Sequence, residues 1–166
     1  MTCRTVRIAP CAAGDANVLA SFQCSTGEAC EDEVQDFVRN RARSFTADAA
    51  LERDRSLDLA WHNQDLVGVV LHERADQFDE EGTYLRVVAV RTDWRGIELL
   101  DGRTLANTLA DHAVLGTRRG PALAAHVDPA NVRSVALLRK LNAMPIREKP
   151  NEDGMLLFAA YLPELE

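Results

Sequence analysis

The spacing of apolar and polar residues changes along the chain, and each change marks an element. Thr5-Val-Arg-Ile-Ala9 alternates with period two and predicts a strand that Pro10 ends. A turn-rich stretch with Gly14 follows, and Asp15 is placed to cap a short helix through Leu19. Ser25-Thr-Gly-Glu28 opens a longer helix over about 28–44, with Val34, Phe37, Val38 and Phe45 as its apolar stripe. Ser56–Trp61 and Leu66–His72 read as two further strands. The polar turn His62-Asn-Gln-Asp65 joins them into a hairpin. Ala75–Gly82 is acidic and reads as a surface loop, and Tyr84–Val90 is the most strand-like run of the chain. A helix is predicted from Asp101 or Gly102 to Gly116 on Leu105, Leu109, Ala113 and Val114, then a strand over Pro121–Val127. A helix over 131–142 and a final strand over Met155–Tyr161 complete the order. Strand, helix, helix, three strands, helix, strand, helix, strand describes a mixed α/β layer domain.

Size and charge narrow this picture. A chain of 166 residues, 46% hydrophobic and 27% charged, is expected to form one soluble domain. No apolar run approaches the ~20 residues of a membrane helix, and Met-Thr-Cys-Arg-Thr-Val-Arg carries no signal-peptide core. No membrane partner is expected, and a cytoplasmic location is. The net charge of −7 opposes wholesale nucleic-acid binding. It suits a cationic acceptor such as an amine, although acidic surfaces are commonly just solvated. Cys3, Cys11, Cys24 and Cys30 form no Cys-x-x-Cys pair and no histidine-matched spacing, so no metal site is expected. The 28–44 helix is acidic first and basic later, with Arg39, Arg41 and Arg43 in its second half. That order complements the helix dipole; it also allows the three arginines to grip an anion.

The chemistry lies toward the C-terminal half. Leu123-Ala-Ala-His-Val-Asp-Pro-Ala130 runs directly into Asn131-Val-Arg-Ser-Val-Ala-Leu-Leu-Arg-Lys-Leu-Asn142. This is a strand, a turn and a helix capped by Asn131, with Val135, Leu138 and Leu141 on one apolar face. Where a strand end opens onto a helix N-terminus, unpaired backbone groups converge on one gap and can hold a ligand. The segment resembles the last coenzyme A-contacting motif of the Gcn5-related N-acetyltransferases, with Asn131, Ser134, Leu137, Lys140 and Leu141 matching. Leu138 stands where that family often has tyrosine, and Asn142-Ala143 replaces Gly-Phe.

A second resemblance is to the family's pyrophosphate loop. Glycines in such a loop let backbone N–H groups approach phosphates, and the helix that follows adds positive potential. Arg95-Gly96 matches its start and Gly102 its end, with Arg103 and Thr104 leading into the helix. Two extra residues intervene, and Glu98 and Asp101 add negative charge. The resemblance implies an acetyltransferase fold: a mostly antiparallel central sheet, splayed between its fourth and fifth strands and flanked by helices. It also implies acetyl-CoA as acyl donor, held by the backbone of Val88, Ala89 and Val90 and by Arg95, Gly96, Gly102, Arg103, Thr104, Asn131, Ser134 and Lys140. Transfer would be direct, from thioester to amine.

Tyr84 falls where some family members carry a glutamate base, and His126 ends the fifth strand with a suitable pKa. These two are the candidate catalytic residues. Leu138 leaves the tyrosine acid role vacant, and Tyr161, the other tyrosine, is a further candidate from the last strand. The acceptor is expected to be a small-molecule or peptide amine, and a homodimer is an open expectation. Phe22-Gln-Cys24 and the helix after it also faintly resemble toxins that acetylate aminoacyl-tRNA. A third alternative is a degenerate, non-catalytic domain that binds coenzyme A or a partner.

Overall fold

The computed structural model describes residues 4–75, 81–116 and 119–161, the side chains of 48–53 excepted. Seven strands form one sheet: β1 (Arg7–Pro10), β2 (Ser56–His62), β3 (Asp65–Arg74), β4 (Gly82–Val90), β5 (Ala122–Val127), β6 (Met144–Pro145) and β7 (Leu156–Tyr161). Their spatial order is β1-β2-β3-β4-β5-β7-β6. All pairs are antiparallel except β4–β5, which is parallel. The helices are α1 (Ala16–Ala20), α2 (Ala29–Asn40), α3 (Ala42–Arg53), α4 (Leu105–Leu115) and α5 (Val132–Lys140). Among the described residues, no helix is long and apolar enough to cross a membrane.

The sheet separates two cores. Leu105, Leu109 and Ala113 of α4 and Leu138 of α5 pack on Val67, Val70, Leu85 and Val90. Leu19, Phe22 and Val38 pack on the opposite face, against Leu57, Leu59, Val69 and Ala89. β3 is buried on both faces, which explains why Leu66–His72 reads as a nearly unbroken apolar run.

One irregularity shapes the functional region. β4 and β5 pair only at Gly82↔Ala122, Thr83↔Leu123 and Tyr84↔Ala124, although β4 continues to Val90 and β5 to Val127. The strands diverge after Tyr84, as the predicted splay requires. Just beyond that point Leu71 pairs Val87 while His72 pairs Leu85, so Arg86 is an extra residue in β4. Such a bulge bends and twists the strand that carries it. The closed end is held tight by glycine: a Cβ at Gly82 would lie 2.2 Å from the Ala122 carbonyl oxygen.

Several sequence expectations need correction. The helix expected over 28–44 is two helices, broken at Arg41, whose φ of −129° is not helical. Phe45 therefore belongs to α3. The helix expected from 101 or 102 starts at Leu105, because residues 98–104 close on themselves first. β6 was not anticipated; two residues carry no readable period. Tyr161 pairs Ala122 at the closed end of the splay and is exposed, so it does not reach the opening.

Candidate active site

The diverging strands open a cleft of about 380 Å³. Val88, Ala89 and Val90 line its β4 wall, and the start of α4, one side of α5, Glu31 and Val34 of α2 and the residues Cys24, Arg95 and Gly96 line the rest. Arg95, Gly96, Thr104, Asn131, Ser134 and Lys140 all border it, so nine of the eleven residues expected to contact a cofactor are brought together here. Gly102 and Arg103 do not border it. Leu137, not Leu138, faces the cleft; Leu138 is buried in the core behind α5.

Two helix N-termini converge on this space. The Thr104 side chain accepts from the N–H of Asn107 at the start of α4. Asn131 Oδ1 accepts from the N–H of Ser134 at 3.1 Å at the start of α5. Leu105 and Ala106, whose N–H groups lie in the first turn of α4 and lack intrahelical acceptors by geometry, border the cleft as well. The end of the site that two helix termini face is suited to anions.

The two extra residues of the preceding loop are accommodated outside the cleft. Glu98 and Thr104 form an antiparallel bridge, the Leu99 N–H donates to the Arg103 carbonyl at 2.8 Å, and the Gly102 N–H to the Leu99 carbonyl at 3.0 Å. Gly102 takes a φ of +75° to close this small hairpin. Asp101 accepts from the Arg103 N–H, and the Arg103 side chain pairs with Asp111. The hairpin thus carries Gly102 and Arg103 away from the cleft.

Arg95 is tied to α2. Its Nη1 donates to Glu31 Oε1 at 2.9 Å and its Nη2 to the Cys24 carbonyl. Glu31 Oε2 accepts from the Thr26 N–H and from its hydroxyl, each at 2.8 Å. Arg133 of α5 reaches the same carboxylate at 3.5 Å. Burial works against ionisation of Glu31, but the Thr26 bonds and the charges of Arg95 and Arg133 prevail and hold it below the usual carboxylate range. Glu31 borders the cleft and was not singled out from the sequence; its partner is 64 positions away. Cys24 borders it too, with burial pushing its thiol up to about 11. It is therefore protonated and a poor nucleophile at neutral pH.

The two expected catalytic residues lie outside this cleft lining but touch each other. Tyr84 Oη and His126 Nδ1 are 2.6 Å apart. Both project to the face opposite α4 and α5, at the point where β4 and β5 part. Burial lowers the His126 pKa, the nearby charges of Arg86 and Arg147 lower it further, and Asp153 opposes them. His126 is accordingly neutral at pH 7, with one ring nitrogen available to accept.

Arg86, the bulge residue, extends over the same spot. Its Cζ lies 5.0 Å from the ring centres of both Tyr84 and Phe45. Its Nε and Nη2 donate to Glu73 Oε1 at 2.9 and 2.7 Å. Arg55 pairs with the other oxygen of Glu73. Burial raises the Glu73 pKa, but Arg86 and Arg55 outweigh it and the carboxyl stays ionised.

The arginines of the 28–44 region each have a partner within the chain, although Arg41 and Arg43 are exposed. Arg39 Nε donates to the Phe22 carbonyl at 2.6 Å, Arg43 Nη2 lies 3.4 Å from the Ala13 carbonyl, and Arg41 stacks over Phe37 at 5.2 Å. Arg39 supports the link between α1 and α2, while Arg41 and Arg43 go to two other places.

A group of Asp58, His72 and His112 also brings metal-binding residue types within 4.8 Å of one another, between β2, β3 and α4. Asp58 Oδ2 lies 2.8 Å from His72 Nε2 and 3.0 Å from His112 Nε2. His72 Nδ1, however, is 2.7 Å from Nη1 of Arg119, which can only donate. His72 must accept there, so its proton sits on Nε2 and goes to Asp58. A metal on Nε2 would force a proton onto Nδ1, against the guanidinium. The donor set does not fit an ion; it is a buried hydrogen-bond network fixing α4 to the sheet.

Comparison with known proteins agrees with this architecture. A sequence model described as the Acetyltransferase (GNAT) family matches residues 20–143. No curated protein matches the chain by sequence. Among solved structures, an acetyltransferase from Thermus thermophilus is similar at 18% identity, over 98% of this chain and 100% of that one, with a TM-score of 0.67. The ribosomal-protein-S18-alanine N-acetyltransferase of Escherichia coli is similar at 16% identity, over 98% and 97%, with a TM-score of 0.62. Arabidopsis thaliana Naa50, solved with the bisubstrate analogue CoA-Ac-MVNAL, is similar at 14% identity, over 95% and 99%, with a TM-score of 0.63.

Proposed function

The chain belongs to the GNAT acetyltransferase family, and we propose that it moves an acetyl group from acetyl-CoA directly to a primary amine. The observation that carries this reading is the opening between β4 and β5, with backbone from β4 on one side and two helix N-termini on another. Acetyl-CoA supplies an activated thioester and, at its other end, phosphate anions. The α4 terminus at Leu105 and Ala106, with Gly96 and Thr104 beside it, fits the phosphates. Asn131, Ser134 and Lys140 of α5 line the path of the pantetheine arm, and the β4 backbone at Val88–Val90 runs alongside.

The acceptor amine enters from the face that carries Tyr84 and His126. Its nitrogen attacks the thioester carbonyl, the C–N bond forms and the C–S bond breaks. The amine gives up one proton and the coenzyme leaves as a thiolate, which takes a proton from solvent. A tyrosine alone is a poor base, with an ordinary pKa of about 10. The 2.6 Å contact supports a relay: as the phenol passes its proton to His126 Nδ1, its oxygen can take the amine's. Tyr84 ends unchanged and His126 ends charged. With Leu138 in the core and Leu137 facing the cleft, α5 offers no phenol in place of the family's tyrosine. Thiols ionise near pH 8.5, so departure as thiolate is tolerable, and proximity supplies much of the acceleration.

The test is acetyl-CoA turnover with a panel of amines and N-terminal peptides, followed across pH. The rate constant kcat/KM should fall on the acid side as His126 protonates, below the ordinary histidine value of about 6.5. Tyr84→Phe and His126→Ala should each slow transfer and alter that limb. If both keep wild-type turnover and the same pH profile, this catalytic assignment is wrong. If acetyl-CoA binds but no amine is acetylated, the chain is a non-catalytic coenzyme A-binding domain.

A further inference from the structure

We infer that Arg86 forms an acceptor subsite for a carboxylate or phosphate, so that the preferred amines carry an anionic group a few atoms from the nucleophilic nitrogen. This rests on the transfer reading above and names the substrate class within it. The first support is position. Arg86 is the bulge residue of β4, two residues past the last β4–β5 pair, and its guanidinium lies against the ring of Tyr84. A group bound to it is therefore next to the Tyr84–His126 contact.

The second support is valence. Nε and Nη2 of Arg86 both go to one oxygen of Glu73, and Nη1 has no hydrogen-bond partner among the described residues. The side chain is 30% exposed, while the Glu73 carboxylate beneath it is 1% exposed. Glu73 thus anchors the guanidinium from below and leaves one edge toward solvent. Phe45 and Tyr84 flank it and limit its motion.

The third support is charge. Two guanidiniums, Arg55 and Arg86, share the Glu73 carboxylate in a largely buried place. Arg147 adds to the positive field at His126 and Asp153 only offsets it. This occurs in a chain of net charge −7, whose surface as a whole repels anions. A local cationic floor in an acidic protein selects for an anion docked there, and a partly desolvated arginine fork suits a carboxylate or phosphate. The cationic acceptor suggested by overall charge is thereby refined: the nitrogen is attacked as the neutral amine, while the rest of the acceptor is anionic.

The experiment compares matched acceptors with wild-type protein and acetyl-CoA: β-alanine against β-alaninamide, 4-aminobutanoate against butylamine, and O-phosphoethanolamine against ethanolamine. Values of kcat/KM are corrected to the neutral-amine concentration. The anionic member of each pair should be preferred by at least roughly tenfold, and the preference should shrink with added salt. Arg86→Gln should bring the ratio near one and Arg86→Lys should retain part of it, with thermal unfolding recorded to check folding. The wild-type ratio decides the matter even if a variant does not fold. Turnover of amines without an anionic preference, or a preference unchanged in Arg86→Gln, overturns the subsite and leaves the transfer reading intact. Absence of any turnover with acetyl-CoA bound overturns both.

Discussion

Replacing Glu31 with glutamine should tighten acetyl-CoA binding while lowering stability. Glu31 borders the cleft and is ionised, so it repels every phosphate charge placed at the α4 N-terminus. A unit charge held roughly 8 Å from another interacts by about 0.5–2 kcal/mol for an effective dielectric between 80 and 20. Removing it also releases Arg95 Nη1, now bonded to Glu31 at 2.9 Å, to face the anion. An affinity gain of about 1 kcal/mol, roughly fivefold, is the expected net. The glutamine carbonyl can still accept from Thr26, but the charge-assisted bond to Arg95 is lost. Bonds of that kind contribute about 1.5–3 kcal/mol. Calorimetric titration with acetyl-CoA at low and high salt, paired with thermal unfolding, measures both effects. The affinity gain should shrink at high salt. A severalfold loss of affinity would refute the reasoning, and would mean that Glu31 acts chiefly by aiming Arg95.

Gly82→Ala should lower Tm by roughly 5–10 °C, because a Cβ there meets the Ala122 backbone oxygen at 2.2 Å and forces apart the closed end of the splay; an unchanged Tm would show that this end yields easily. Glu73→Gln should destabilise by about 3–5 kcal/mol in urea unfolding, since Arg55 and Arg86 lose their shared counter-charge. Glu73 and Asp58 are both held below the usual carboxylate range against the effect of burial, Glu73 by Arg86 and Arg55 and Asp58 by His72, His112 and Ser56. Their contribution is present above the ordinary carboxylate pKa of about 4 and is lost as pH falls through the depressed native values. The wild-type urea midpoint should therefore fall steeply below about pH 4 and Glu73→Gln less so; equal slopes would remove Glu73 from the acid transition.

What could be read from the sequence were features whose cause is local. Asn131 caps α5 through Ser134, three residues on, and both were identifiable from that spacing. The capped helix located one wall of the cleft. Tyr84 and His126 could be proposed separately, but their 2.6 Å contact joins residues 42 apart on strands that are neighbours only in space. Glu31 escaped notice for the same reason, as an acidic residue in a helix first turn is already explained by the dipole. The bulge at Arg86 could not be placed in the run Tyr-Leu-Arg-Val-Val, whose aromatic and β-branched residues mark a strand without fixing its register. The break at Arg41 was hidden because the apolar stripe continues through Phe45 on the next helix.

The departures from the family's glycine-rich loop are of a different kind, because the fold absorbs them. Two added residues and two acids looked costly where phosphates are expected. The Glu98–Thr104 bridge turns the addition into a hairpin whose tip, Leu100, is exposed. Asp101 accepts from the Arg103 N–H there and the Arg103 side chain pairs with Asp111, and neither Glu98 nor Asp101 borders the cleft. Asn142, standing where the family has glycine, takes a φ of +59° after α5, a conformation asparagine tolerates better than most side chains. The parts of the loop that remain at the cleft are Arg95, Gly96 and the Thr104-capped start of α4. Anion binding at such a terminus depends on backbone N–H groups, which any sequence supplies once the helix begins in the right place. The carboxylate placed to bear on an anion at the cleft is Glu31, outside the motif altogether, and its charge is met by Arg95 from the loop and Arg133 from α5.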